Sequence, residues 1–236
     1  MTSAKSAGRT VGTLVLLHIA AGLTLPFILV DQVRQPPGFL ENAAGSSGQV
    51  RAAVLLLFVG SAVAIGIAVA ALPVFRRYSS AIALWLVALA VAAFSLQAVD
   101  NGALLSMLSL SQEYAKVGAA KTELFQTLGG VVGSARKWTH YTYLLVLGAW
   151  LLLLFSSLYR FRLVPRALAV FGLSATMLQM AAITLRGLLG YPPETRLGVP
   201  LGFAYVSLAV WLILKGFDEQ HRPLEPQAHG AGIAGR

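Results

Sequence analysis

Residues 51–74 read RAAVLLLFVGSAVAIGIAVAALPV, an apolar run that begins with one arginine and contains no other charge. At a rise of 1.5 Å per residue, about 20 apolar residues cross the roughly 30 Å hydrocarbon core of a bilayer. This run is long enough to do so. It therefore predicts a transmembrane helix and indicates the class of the whole protein.

The same pattern recurs on both sides of this stretch. The predicted spans are 11–30, 52–73, 80–102, 138–158, 164–189 and 198–215. Of the 236 residues, 57% are apolar and only 11% are charged, whereas a soluble protein carries about 25% charged residues. This composition excludes a soluble enzyme, a disordered chain and a fibrous repeat. We expect an all-α polytopic membrane protein with one six-helix domain over residues 1–217 and a disordered polar tail over 218–236.

Loop charges predict the orientation. One set of loops is purely basic beside the span ends, and the other set mixes acidic and basic residues. The basic set contains Lys5, Arg9, Arg76, Arg77, Arg160, Arg162, Arg166, Lys215 and Arg222. Since basic loops stay in the cytoplasm, both termini are expected there, with the protein in an inner (cytoplasmic) membrane. The net charge of +9 therefore indicates lipid anchoring, and no nucleic-acid partner is expected.

The second outer loop, about 103–137, is the longest. Apolar residues in it recur at helical spacing, with charged residues on the other face. The apolar positions are Tyr114, Val117, Leu124, Phe125 and Leu128. We expect a short amphipathic helix on the outer surface, ended by Gly129-Gly130, which either contacts lipid or packs on the bundle.

Three segments carry a family resemblance. They are Gly8-Arg9-Thr10-Val11-Gly12, the stretch QVRAA at 49–53, and SLYRFRLVPRALAVFG at 157–172. Together they resemble DUF4386, a bacterial family of multi-pass membrane proteins defined by a domain of unknown function. The resemblance implies a helical membrane protein and assigns no activity, so no catalytic residue can be transferred from it.

Polar side chains inside a bilayer are costly and are therefore the candidates for function. His18 lies about 14 Å along the helix from Arg9, near mid-membrane. Its ring either bonds a carbonyl or hydroxyl of a neighbouring helix or takes part in ligand binding or proton handling. Both interpretations remain open at this stage.

A second group of polar residues is expected near the outer end of the spans. Gln97, Asp100 and Asn101 share one face of the third span. Gln179 and Arg186 lie on the fifth span, and His140 begins the fourth. These residues form either an outward-facing ligand-binding cluster, or a set of separate interfacial residues plus one stabilising Asp100–Arg186 pair.

Cofactor sites find little support in the sequence. The absence of cysteine excludes thiolate metal sites and iron–sulfur clusters. The levels of His18 and His140 differ by roughly 10 Å along the helices, which disfavours a haem between them. One carboxylate within the spans is too few for a zinc hydrolase. No metal and no cofactor are expected.

The leading hypothesis is a non-enzymatic protein that binds or passes a small lipophilic or amphipathic molecule through an outward-facing intramembrane pocket. One alternative is an intramembrane enzyme that acts on a lipid, with His18 or His140 and Asp100 as acid–base groups. Another is a structural or accessory subunit of a membrane complex. The lipid bilayer is the expected partner, and the oligomeric state is open.

Overall fold

The computed structural model describes residues 3–117, 122–187, 189–191 and 195–218. Regular structure in these ranges is helical throughout, without strands. The helices are α1 (Ala4–His18), α2 (Leu25–Arg34), α3 (Phe39–Asn42), α4 (Ser47–Phe75), α5 (Ser80–Val117), α6 (Thr122–Arg160), α7 (Arg166–Gly187) and α8 (Val199–Lys215). The expected disordered tail lies outside the described residues from position 219 onward.

Among the described residues, five helical stretches are long and apolar enough to cross a membrane. The first combines α1, a π-helical segment and most of α2 over Ala4–Asp31, and α4 to α7 supply the others. The sixth expected span corresponds to α8, a shorter apolar helix of 17 residues, or about 26 Å. The all-α polytopic membrane fold is thus confirmed.

Large apolar side chains are exposed on the surface of the bundle, while several polar side chains are buried inside it. On α5, Leu84 and Trp85 are each 62% exposed, while Gln97 is 1% and Asp100 0% exposed. In water this distribution would be unstable, because apolar surface would be hydrated and a charge buried. In a bilayer the exposed side chains meet lipid tails, and polar groups turn inward.

The first span changes its helical winding at mid-length. Ile19–Thr24 forms a π-helical segment, in which the N–H of Leu25 donates to the carbonyl of Ala20. Pro26 follows directly and has no N–H to donate to Gly22, so regular α-helical bonding ends there. Gly22 lies against Gly60 of α4, where an added Cβ would approach the Gly22 Cα to 2.5 Å.

The second outer loop differs from the expectation. Instead of a separate amphipathic helix, α5 continues to Val117, and α6 begins at Thr122 and passes through Gly129-Gly130 without a break. Each of these helices is about 57 Å long, well beyond the roughly 30 Å hydrocarbon core. Contacts between them, such as the rings of Tyr114 and Phe125 at 5.7 Å, offset the cost of two helical glycines. Of the five apolar positions, Tyr114 and Phe125 lie in the seam between the two long helices, whereas Val117, Leu124 and Leu128 are exposed.

The two ends of the bundle can be named from this topology. At the terminal end, where α1 begins and α8 ends, Phe75 contacts Phe161 and Phe217 edge to face. The N–H of Asp218 donates to the carbonyl of Leu163 at 2.9 Å. At the opposite end, called the hairpin end, α5 and α6 project and α3 packs on α5.

Candidate functional site

Two cavities follow one another along α6 and α7. Helices α2 and α5 complete the wall of the first, and α1, the π-helical segment and α8 complete the wall of the second. The first, with a volume of about 410 Å³, lies toward the hairpin end and is called the basic cavity. The second, of about 290 Å³, lies deeper and is called the apolar cavity. Both volumes are near the lower end of the roughly 300–1,000 Å³ that small-molecule sites occupy.

The basic cavity is lined by cations together with a few aromatic and apolar side chains. Its lining comprises Phe27, Arg34, Met107, Gly133, Arg136, Lys137, His140, Tyr141, Leu144, Gln179, Ala182, Ile183, Arg186 and Gly198. Four of these residues are permanently charged cations, and none of them is acidic. Such a surface attracts negative charge.

The apolar cavity is lined mainly by aliphatic side chains. Its lining comprises His18, Ile19, Leu23, Thr24, Leu144, Leu147, Gly148, Leu151, Thr176, Gln179, Ile183, Gly198, Leu201, Gly202 and Tyr205. The π-helical segment contributes Ile19, Leu23 and Thr24 to this wall. A π-helical turn is frequent at functional sites because it displaces side chains from the regular helical positions.

The two cavities share four lining residues, Leu144, Gln179, Ile183 and Gly198. These residues form the neck between the cavities. Gln179 is the polar member, and its side-chain oxygen lies close to the backbone of Gly198, where an added Cβ would overlap it. The site therefore changes from charged to apolar along its length.

A buried polar network lies beside the basic cavity on α5. The Gln97 amide donates to Asn101 Oδ1 at 2.9 Å and to Asp100 Oδ2 at 3.3 Å. Asn101 in turn donates to the carbonyl of Val54 on α4 at 3.3 Å. The expected shared face of these three residues is thus a connected network, and it holds the Asp100 carboxylate in place.

Asp100 links this network to α6. Its Oδ2 lies 3.3 Å from His140 Nδ1, and its Oδ1 lies 3.7 Å from Arg136 Nε. Within the described residues these are its ion-pair partners, so the expected pair with Arg186 does not form. Because α6 stays helical above His140, Arg136 lies one turn away on the same face and reaches Asp100 first. Arg186 lines the basic cavity instead.

Positive charge at this site is incompletely balanced. Arg34 interacts with Asp100 and Asp31, and it is repelled by Arg136. Burial is the main cause that lowers the pKa of the Arg34 guanidinium from its usual range, and the charge of Arg136 adds to it. Even with both carboxylates counted, the four cations of the cavity remain in excess.

His18 is 2% exposed and lines the apolar cavity. Its Nδ1 lies 3.3 Å from the Tyr205 hydroxyl, and the two rings meet edge to face with centroids 5.8 Å apart. The hydroxyl partner was one of the two interpretations open from the sequence. The position in the cavity wall keeps the other interpretation open too.

The expected site residues therefore fall into three groups. Gln97, Asp100 and Asn101 form the buried network, while His140 and Arg186 line the basic cavity. Gln179 belongs to both cavities, and His18 belongs to the apolar one.

Sequence reasoning missed four contributors to these cavities. Arg34, Arg136 and Lys137 were read only as mixed loop charges, and Tyr205 was not singled out. One available signal was the i, i+4 spacing of Arg136 and His140, which becomes meaningful once α6 is extended upstream.

In the part of the chain that the structure describes, no three His, Asp or Glu residues gather as metal ligands. Of the Asp100–His140 pair, His140 lines the basic cavity. Asp100 therefore orients a ring that faces both the network and the basic cavity.

The chain belongs to a family defined by a domain of unknown function. The family model, described as Domain of unknown function (DUF4386), matches residues 10–216, which include both cavities and the buried network. Comparisons with curated proteins and with solved structures gave no significant match. The family thus confirms the sequence resemblance and leaves the activity to be inferred from the site.

Proposed function

We propose that this DUF4386 protein binds or passes a small amphipathic molecule through an intramembrane pocket that opens toward the hairpin end. The observation that carries the proposal is the shared neck, where Gln179 lines both a basic and an apolar cavity. A polar group and an apolar chain on one molecule match two such compartments in series. Aliphatic walls supply affinity, and a few polar groups fix the orientation.

Co-purification tests this proposal. The full chain is purified from membranes in mild detergent, and bound small molecules are extracted and measured by mass spectrometry. We expect an amphipathic molecule in near-stoichiometric amount. The variant Gly202→Phe should reduce it strongly, because a Cβ on Gly202 meets no atom within 4 Å and a larger side chain would fill the apolar cavity.

The matched control is Gly102→Phe. Gly102 is an exposed residue of α5 that lines neither cavity, and a Cβ there also meets no atom within 4 Å. This variant should retain the bound molecule. Equal amounts in both variants would show that the molecule binds elsewhere, as lipid on the outer surface does.

We also propose that the terminal end is cytoplasmic and that the membrane is a bacterial inner membrane. Support comes from the basic loops, since Arg76, Arg160 and Arg166 all stand at that end. Reporter fusions after residues 77 and 162 should report cytoplasm, and fusions near residues 45 and 120 should report the outside. A cytoplasmic signal from residue 120 would reverse the direction in which the pocket opens.

An intramembrane enzyme acting on a lipid is the second candidate. The Asp100–His140 contact at 3.3 Å favours it, because a carboxylate that orients an imidazole is the arrangement of a general base. His140→Gln distinguishes the two functions. An enzyme should then lose turnover of lipids incubated with the protein while keeping ligand binding, whereas a binding protein should show no turnover in either form.

A further inference from the structure

We infer that the ligand of this pocket is an anionic amphiphile with a single apolar chain, whose carboxylate or phosphate lies among Arg34, Arg136, Lys137 and Arg186. This inference rests on the proposed function and adds the charge and shape of the ligand. The apolar chain of the ligand passes the neck at Gln179 and enters the apolar cavity toward His18.

Charge is the first argument. Four cations from three helices converge on one cavity: Arg34 from α2, Arg136 and Lys137 from α6, and Arg186 from α7. Like charges gathered in one cavity repel one another, and Arg34 already experiences Arg136 in this way. An anion removes this repulsion, whereas a neutral or cationic headgroup leaves or increases it.

The second argument is that part of this charge is available to a ligand. Arg136 is engaged with Asp100, and Lys137 lies over the rings of Trp138 and Tyr141. Arg186 has no ion pair within the described residues, yet it lines the cavity wall. A guanidinium of this kind binds carboxylate and phosphate oxygens with two parallel N–H donors.

The third argument concerns the number of chains. The apolar cavity, of about 290 Å³, meets the basic cavity at a neck formed by Leu144, Gln179, Ile183 and Gly198. One extended chain fits this path, whereas a second chain of a diacyl lipid would have to remain in the basic cavity. There it would cover charged groups without pairing them, which is unfavourable.

The experiment measures equilibrium binding of oleoyl probes to the full chain in phosphatidylcholine nanodiscs. Oleate carries a carboxylate, oleoyl lysophosphatidate a phosphate, and oleyl alcohol carries no charge on a chain of the same length. We expect both anions to bind at least tenfold more tightly than the alcohol. Their ratio shows which of the two headgroups the cavity prefers.

Substitutions in the basic cavity test how much the headgroup contributes to binding, separately from the apolar chain. Arg186→Gln should weaken binding of the anions roughly tenfold and leave the alcohol unchanged, while Arg166→Gln at the other end of α7 should change neither. Gly133 lines the basic cavity, and a Cβ added there meets no atom within 4 Å. Gly133→Glu therefore adds a carboxylate to the cavity wall and should act like Arg186→Gln. The exposed Gly130→Glu on the same helix is its control.

The outcomes distinguish this inference from the proposed function. If all three probes bind with equal affinity and only Gly202→Phe weakens their binding, the pocket exists but the inferred preference for anions is wrong. If no probe binds, or if Gly202→Phe has no effect, the proposed function itself fails. Displacement of oleate by millimolar inorganic phosphate would contradict the inference of an amphiphilic ligand and would assign the basic cavity to free phosphate.

Discussion

The two ends of this bundle differ in how closely their side chains pack. The terminal end is packed by aromatic rings and by glycines that let helices touch, as where Gly12 of α1 lies against the backbone of α8. The hairpin half contains the basic and apolar cavities, a buried carboxylate and several buried polar atoms without a hydrogen bond, among them Asp100 Oδ1 and Arg136 Nε. Close packing thus holds the helices at one end, so the other can hold a site with incompletely paired groups.

Among changes at the hairpin end, Asp100→Asn is expected to lower the free energy of unfolding most. The carboxylate is fully buried, and its loss leaves Arg136 without its counter-charge and His140 without its carboxylate partner. Breaking a buried pair costs about 3–5 kcal/mol; we expect the lower limit, because the Arg136 contact of 3.7 Å is not a hydrogen bond. The free energy of unfolding in mixed micelles measures the loss.

A double-mutant cycle shows whether the pair itself is responsible. Asp100→Asn combined with Arg136→Gln should cost less than the sum of the two single changes. The same cycle with Arg186→Gln should be additive, because Arg186 lines the cavity and does not pair with Asp100. Coupling to Arg186 in place of Arg136 would contradict the arrangement described here.

The second prediction compares the same change, glycine to alanine, at two positions. Gly12→Ala should lower the free energy of unfolding by about 1–3 kcal/mol, because its methyl group would lie 2.8 Å from the Ala209 carbonyl oxygen. Gly202→Ala should have no cost or a gain of up to about 1 kcal/mol from helix propensity, since its methyl group meets open space. Equal losses would show that the apolar cavity is closed in the folded protein.

The smallest expected effect concerns His18 and Tyr205. His18→Leu and Tyr205→Phe each remove one partner of a buried contact at 3.3 Å. Hydrogen bonds of this kind in membrane proteins contribute about 0.6 kcal/mol on average, with a maximum near 1.7 kcal/mol. The coupling energy between the two changes, obtained from unfolding in mixed micelles, should fall in that range. A coupling of zero would leave His18 with a role toward the cavity alone.

The expectations for individual elements succeeded or failed for identifiable reasons. The span at 52–73 was anticipated because an apolar run of that length has few stable alternatives, and α4 contains it. The loop at 103–137 was misread because Gly129-Gly130 usually ends an isolated helix, whereas here the partner helix supports it. That error concealed Arg136 as the partner of Asp100.

The sequence by itself determined the helical membrane class, the approximate spans, the family and the polar residues that merit attention, because hydropathy and length act locally along the chain. The tertiary structure alone decided which cation reaches Asp100 and that the cavities meet at Gln179. Those outcomes depend on how far α6 extends and on which helices become neighbours. Such contacts between distant segments follow from packing geometry, which hydropathy in a single segment does not specify.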